Sequence, residues 1–369
     1  MKKALDFNIQ FSNLMGRSFP NCFAGAYVYL ENIADEMPKK CGNKENYCFG
    51  CGCSRDTQST YFVLFDTLCG KSSLYWRFDG VMSDMAALIG DNSRVGKWSG
   101  KCSTDYTVDF LFGFAGYEYQ KITNATTFKD EIVAAINSGK PVIAEPNESL
   151  SKSVHGISLE EDFCVITGYD GDIFTSCYYH TDQGNNTQEK ITITLSSDEI
   201  KTIFTFGNKT APRYTLKDGL ERIKLVIEST FDEKLWDDGV DQVNATFINR
   251  TDDEFAKMSA DELNELKKRF TETLTNQFHC HIFGSALKHL TKTYHAEQYP
   301  ELPILVEKLR KSIAPLRKYA FNRGDVLDTS LSPKEFGKNV VSAIGVIKRT
   351  YVKMLKIINE AIDVFEAQP

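Results

Sequence analysis

The sequence lacks any apolar stretch long enough to cross a membrane. Its 369 residues contain no run of the roughly 18–20 apolar residues that a spanning helix needs. The N-terminus also lacks the apolar core of a signal peptide, because Lys2 and Lys3 are followed by the polar residues Asp6, Asn8 and Gln10. We therefore expect a cytoplasmic protein with reduced thiols and no membrane partner.

An excess of basic residues is also absent. Lysine and arginine number 43 against 50 aspartates and glutamates, which gives a net charge of −7. Nucleic acids attract basic surfaces, so no nucleic acid is expected as a partner. The sequence has no GxxxxGK[ST] motif, which argues against a P-loop phosphate site.

Metal-ligand patterns are sparse as well. A structural zinc site usually combines two paired ligand sets, whereas Cys48 and Cys51 form a single CxxC, with Cys53 two residues further on and Cys41 upstream. We therefore expect no metal and no cofactor. A metal protein built on this cysteine cluster is kept as the third hypothesis.

Length and patterning predict two domains. The first, residues 1–213, holds nine of the ten cysteines and mixes short strands with helices. Apolar runs at 61–65 and 163–166 and an alternating run at 190–195 predict strands, while residues 128–137 predict a helix. The second, residues 214–369, is helical throughout and predicts a bundle of about four or five antiparallel helices. Capping boxes at 259–262 and 332–335 mark two of its helix starts.

One cysteine occupies a position that favours reaction. Pro20 disfavours helix at the residue before it, and Asn21 is a good N-cap, so Cys22 is predicted in the first turn of a helix. The positive end of a helix dipole lowers the pKa of a thiol and raises its thiolate fraction. Such a thiol suits nucleophilic catalysis. The alternative is a small buried residue that begins a helix, since cysteine is often buried.

Two later segments extend this pattern into a resemblance. A predicted helix leads into the segment 137–143, Asn-Ser-Gly-Lys-Pro-Val-Ile, in which a glycine turn is followed by a strand. A later predicted strand, at 163–172, ends in a Gly-Tyr turn. With Cys22 and the glycine-rich segment 49–53, this order resembles papain-like cysteine enzymes of the bacteriocin-processing type. It resembles more closely the family of butirosin biosynthesis protein H, over roughly residues 10–205.

The resemblance implies a fold and a chemistry. The expected fold class is α+β, with the cysteine helix packed on an antiparallel sheet and an α-helical C-terminal domain. The expected reaction is acyl transfer, or amide or thioester hydrolysis, through an acyl-enzyme on Cys22, with a small-molecule or carrier-bound acyl substrate. Asn21 and the first-turn N–H groups would stabilise the oxyanion. The helical domain could cover the cleft, recognise a carrier or mediate homodimer formation.

The sequence departs from the family at the histidine. That position is Asp162, and an aspartate is a poor base for a thiol because its carboxyl pKa is about 3.9. His155, in the preceding polar segment, and His180, on the following strand, are the candidate bases. The candidate substrate contacts are Asp162, Tyr169 and Trp76, with a core position as the alternative for Trp76. The second hypothesis is a binding protein that kept the fold and lost the base.

Overall fold

The structure, a computed structural model, describes residues 2–7, 19–32, 65, 105–147, 163–182, 187–230, 233–277, 299–321 and 327–366. These residues form two compact units, which divide between Thr215 and Leu216. The first unit combines helices with an antiparallel sheet, and the second is helical, so the described chain is α+β.

The sheet of the first unit is antiparallel at every pairing among the described strands. These strands are β1 (Lys2–Ala4), β2 (Tyr117–Ile122), β3 (Val142–Pro146), β4 (Cys164–Asp170), β5 (Ile173–Asp182), β6 (Thr187–Leu195) and β7 (Ile200–Lys209). Six of them follow the order β2-β7-β3-β4-β5-β6, and β1 pairs with β4. One edge of β4 is shared, because β3 pairs with its first half and β1 with its second half.

Among the described ranges, three helices cover this sheet: α1 (Phe19–Leu30), α2 (Asp105–Ala115) and α3 (Phe128–Asn137). The helix predicted at 128–137 is confirmed, and Gly139, with a φ of +82°, stops it. The alternation predicted at 190–195 is confirmed where burial is described, since Ile193 and Leu195 are buried whereas Thr192 and Thr194 are exposed. The strand predicted at 61–65 is wrong at Phe65, whose backbone is helical.

The sheet has two distinct faces. Residues that lie opposite each other in an antiparallel ladder share a face. Ile143 lies opposite Phe204, whose ring packs at 5.0 Å from the Phe19 ring of α1, and we call this side the α1 face. The other side, the α3 face, carries Tyr169, whose hydroxyl donates to Asn137 Oδ1 of α3 at 3.0 Å.

Aromatic rings fill the core on the α1 face. Phe19, Phe23 and Tyr27 recur every fourth residue and form one stripe of α1. The Phe23 ring makes edge contacts with Phe65 at 5.0 Å and with Phe112 of α2 at 4.9 Å. Every residue of α1 from Phe19 to Val28 whose side chain is described is buried, so α1 is a central helix rather than a surface helix with one apolar stripe.

The second unit consists of helices around one long helix. Its described elements are α4 (Leu216–Thr230), α5 (Glu233–Val243), a π-helical turn (Asn244–Ile248), α6 (Asp252–Phe255), α7 (Ala260–Gln277), α8 (Glu301–Phe321) and α9 (Pro333–Glu366). Lys308 of α8 donates to Glu360 of α9 at 2.6 Å, and Tyr299 packs on Phe365, so α8 and α9 run antiparallel.

Both predicted capping boxes are confirmed. The Ser259 hydroxyl accepts from the Glu262 backbone N–H at 3.2 Å, and Ser332 and Glu335 form the same arrangement before α9. The long helix α9 buries an apolar stripe that includes Val340, Ile344 and Ile347. None of the helices in the described ranges is both long and apolar enough to cross a membrane.

Candidate functional site

Cys22 is the fourth residue of α1 and lies in its first turn. The prediction that Asn21 is the N-cap is wrong, because the helix begins two residues earlier, at Phe19. Pro20 is tolerated there, since the first helical N–H groups have no intrahelical partner. The prediction that Cys22 lies at the N-terminus of a helix is confirmed. The oxyanion role of Asn21 stays a prediction.

The thiol of Cys22 is enclosed in this structure. Cys22 is 1% exposed, and the second described thiol, Cys164, is 9% exposed. Cys164 lies opposite Ala144, one residue along from Ile143, so it is on the α3 face. The two thiols therefore lie on opposite sides of one sheet. Burial argues for a packing role at either position, because reactive cysteines are usually partly exposed.

The far end of α1 is held by a charged cluster. Glu31 Oε1 accepts from the Tyr117 hydroxyl and from Lys209 Nζ, each at 2.5 Å, and Lys209 Nζ also donates to the Ala115 carbonyl at 3.0 Å. Burial and the hydrogen bond to Glu31 raise the pKa of Tyr117 above its usual range. Asn32, with a φ of +52°, ends the helix. These contacts fix α1 along its axis.

The N-terminus of α1 lies at one end of the sheet. Phe19 packs beside Phe204 at 5.0 Å and Phe23 beside Phe206 at 5.6 Å, so α1 runs in the same direction as β7. Phe19 also contacts Phe163, which directly precedes β4, at 5.5 Å. We call this end, where β7 and β4 begin and β3 finishes, the Cys22 end of the sheet.

The first candidate base, His155, belongs to the segment 148–162, which lies outside the described residues. Asp162 and Trp76 also lie outside them, so their predicted roles stay predictions. The residues that flank the segment are described: Asn147 follows β3 and Phe163 precedes β4. Both flanks are at the Cys22 end of the sheet.

The second candidate base, His180, lies on β5 opposite Glu189 of β6. It is four residues beyond Ser176 in an unbroken register, and alternate positions of a strand share a face. Ser176 lies opposite Ile166, which lies opposite Val142, the neighbour of Ile143. The backbone register therefore places position 180 on the α3 face, whereas the helix that carries Cys22 packs on the α1 face.

Tyr169, predicted as a substrate contact, is 3% exposed and lies on the α3 face. An extra residue in β4, between Ile166 and Gly168, shifts the register before it. Such a bulge re-aims the side chains that follow. With its hydroxyl bonded to Asn137, Tyr169 joins β4 to the end of α3, and its predicted contact with substrate stays a prediction.

A nearly buried glutamate at the Cys22 end was not singled out from the sequence. Glu145 of β3 is 8% exposed, and its Oε1 lies 3.1 Å from Lys201 Nζ. It lies two residues after Ile143, which places it on the α1 face. The available signal was a single acidic residue within the strand-like segment Pro141–Pro146.

Metal ligands do not converge in the part of the chain that is described. No group of three or more histidine, cysteine, aspartate or glutamate residues there could hold a metal ion. The cysteine cluster from Cys41 to Cys53 lies outside these ranges, so the metal hypothesis stays open.

The chain matches no protein-family model and no curated protein. A function is therefore inferred from the geometry around Cys22 and from the resemblance carried by the sequence motifs.

Proposed function

We propose that the first unit is a papain-like, cysteine-dependent acyltransferase or amide or thioester hydrolase with Cys22 as its nucleophile. One observation carries this proposal: Cys22 is in the first turn of a helix that packs on an antiparallel sheet. The flanks of the segment that contains His155 are at the same end of that sheet. A cysteine helix packed on an antiparallel sheet is the arrangement that the resemblance implies.

The reaction would proceed in two steps. The Cys22 thiolate attacks the carbonyl carbon of a thioester or amide, the bond to the leaving group breaks, and a protonated histidine donates a proton to the departing thiol or amine. Water or an amine then attacks the acyl-enzyme, the bond to the Cys22 sulfur breaks, and the histidine accepts the proton. First-turn N–H groups of α1 would stabilise the oxyanion in both steps.

We assign the base to His155 rather than to His180. The register places position 180 on the α3 face, whereas α1 lies on the other face. The described residues that flank the segment 148–162, Asn147 and Phe163, are at the Cys22 end of the sheet, and Phe163 contacts Phe19 of the helix that carries Cys22. A base must come within hydrogen-bond reach of the sulfur, directly or through one water molecule.

Trapping the acyl-enzyme tests the proposal. The full chain is incubated with a simple thioester, S-acetyl-N-acetylcysteamine, and acetylated peptides are mapped by mass spectrometry. We expect the acetyl group on Cys22, no adduct in Cys22→Ser, and an unchanged adduct in Cys164→Ser. His155→Ala should slow acetylation far more than His180→Ala. Acetylation of Cys164 at the rate of Cys22 contradicts the proposal.

The burial of Cys22 favours a second function, a non-catalytic binding protein with the same fold. A thiol that is 1% exposed has the accessibility of a core residue. If the chain is such a binding protein, we expect no acetylation of Cys22 at any thioester concentration. Cys22→Ala should then lose no more thermal stability than a small core truncation. The trapping experiment thus separates the two functions.

A further inference from the structure

Three cations follow one another along the solvent side of α9. Arg349, Lys353 and Lys356 are exposed, and they recur at i, i+4 and i+7, the spacing that places helical residues on one face. We call these three residues the basic stripe. Seven residues of an α-helix span about 10 Å, so the stripe extends over two turns.

The ion pairs that α9 makes with other described residues do not include the basic stripe. Lys348, directly before Arg349, pairs with Asp237 at 2.5 Å, and Lys334 lies 3.5 Å from Asp252. The remaining pairs of α9 within the described ranges use its carboxylates Glu360 and Glu366. The three cations of the stripe therefore have no carboxylate at ion-pair distance in the described part of the chain.

The spacing of the stripe is unfavourable for the helix by itself. Arg349 and Lys353 are four residues apart, and Lys353 and Lys356 are three residues apart. Like charges at these two spacings are neighbours on the helix surface and destabilise it slightly. Helix stability alone therefore does not account for three cations in succession, whereas an anionic partner would neutralise their repulsion.

An exposed apolar side chain lies beside the cations. Val352 is 54% exposed, three residues after Arg349 and four before Lys356, so it neighbours both on the helix surface. Arginine and lysine side chains have apolar stems that extend such a contact while their charged heads stay in water. The stripe thus offers three positive charges and a small apolar contact to one partner.

These features favour an acidic protein segment over a membrane or a nucleic acid. An interfacial membrane helix presents several large apolar or aromatic side chains, whereas Val352 alone of the exposed large apolar side chains in the described ranges belongs to α9. A nucleic acid would meet the Asp237 carboxylate, which is 65% exposed beside the stripe, on a chain of net charge −7. Carboxylates on a helix can recur at the spacing of the stripe and pair with it one for one.

We propose that the basic stripe is a docking surface for an acidic helical segment of a partner protein. The carboxylates of that segment recur at i, i+4 and i+7 and pair with Arg349, Lys353 and Lys356, and an apolar side chain between them packs on Val352. This surface belongs to the second unit, and the inference does not depend on the chemistry at Cys22.

Fluorescence anisotropy of a labelled synthetic peptide with the full chain tests the inference. The peptide repeats Glu-Ala-Ala-Leu-Glu-Ala-Ala, which places glutamates at i, i+4 and i+7 with a leucine between them. A comparison peptide has the same composition with its glutamates out of this register. We expect the full chain to bind the first peptide more tightly at about 0.05 M salt, where screening is weaker than at physiological ionic strength.

Variants of the full chain assign the binding to the stripe. We expect Arg349→Gln combined with Lys353→Gln to weaken binding of the first peptide about fivefold, the scale of two exposed ion pairs. Val352→Ala should weaken it about threefold through the lost apolar contact. The matched control is Lys217→Gln combined with Lys224→Gln, which removes two lysines of α4 that already have carboxylate partners, and it should stay within about twofold.

Several results would overturn the inference. Equal losses in the two double variants, or equal affinity for the two peptides, show attraction to charge without a docking surface. Tighter binding of oligo(dT) or of phosphatidylserine vesicles, lost in the stripe variant, assigns the surface to a nucleic acid or a membrane. Self-association in sedimentation velocity that the stripe variant abolishes assigns it to a second copy. Absence of binding to the first peptide excludes the proposed partner.

Discussion

The sheet unit and the helical unit reach a buried core by different routes. In the sheet unit, rings from α1, α2 and β7 meet in edge and tilted contacts, and the residues that meet are far apart in the chain, as with Phe23, Phe112 and Phe206. In the helical unit, amphipathic helices with local start signals pack an apolar stripe of α9 against their neighbours. The comparison indicates that local signals determine the helical unit, whereas long-range packing determines the sheet unit.

The largest expected effect is in the aromatic core. Phe23→Ala removes a fully buried ring that contacts Phe65, Phe112 and Phe206. We expect the free energy of unfolding of the sheet unit to fall by about 3–5 kcal/mol, the usual cost of such a truncation. Urea denaturation followed by circular dichroism measures it. Val352→Ala, at an apolar side chain that is 54% exposed on α9, is the control and should change little. A loss below about 1 kcal/mol for Phe23→Ala contradicts this view of the core.

Two glycines of α9 test packing in the helical unit. A Cβ at Gly337 would meet Phe247 Cβ of the π-helical turn at 2.7 Å, whereas a Cβ at Gly345 would meet only the Arg349 guanidinium at 3.3 Å. Gly337→Ala should therefore destabilise the unit by about 1–3 kcal/mol through overpacking. Gly345→Ala should stabilise it by up to about 1 kcal/mol, because alanine favours helix over glycine. Thermal unfolding compares them, and equal effects at both positions would refute the close approach.

The local start signals give a smaller effect. Ser259→Ala removes the hydroxyl that accepts from the Glu262 backbone N–H. The expected loss is about 1 kcal/mol, typical of N-cap substitutions. Ser259→Asp, which retains a capping oxygen, should lose much less. Hydrogen exchange in the first turn of α7 reports the change directly, and unchanged exchange in Ser259→Ala would show that the cap does not determine where the helix starts.

The smallest effect is a pH dependence of the same cap. Hydrogen bonds from the Ser259 backbone N–H and hydroxyl lower the pKa of Glu262 below its usual value. The stabilisation is therefore complete above the unfolded-state pKa of about 4.3 and is lost as the pH falls through the lower, folded-state pKa. Acid titration of the first turn of α7 by hydrogen exchange should show weaker protection below about pH 4 in wild type and a smaller change in Glu262→Gln. Equal changes in both would contradict the assignment.

Local chemistry explains which elements were predictable. Ser259, Ser332 and Gly139 act within one turn of their own helices, so their sequences carried the signal. The register of β5 and the register shift between Glu145 and Pro146, where β3 pairs with β7, depend on pairing between distant strands, which a single sequence does not specify. For this reason the position of Cys22 at a helix start could be predicted from the sequence. The face of the sheet on which position 180 lies could not be predicted, and Glu145 was not singled out.

The most direct test of the central claim compares the two described thiols. Cys22 and Cys164 are both buried, and they lie on opposite faces of one sheet, but of these two thiols Cys22 alone is in the first turn of a helix. Iodoacetamide labelling of the native full chain at about pH 6.5, followed by peptide mapping, ranks their reactivity. We predict that Cys22 reacts at least about tenfold faster than Cys164, because thiolate, not thiol, is the nucleophile. Equal rates, or faster labelling of Cys164, would contradict the account.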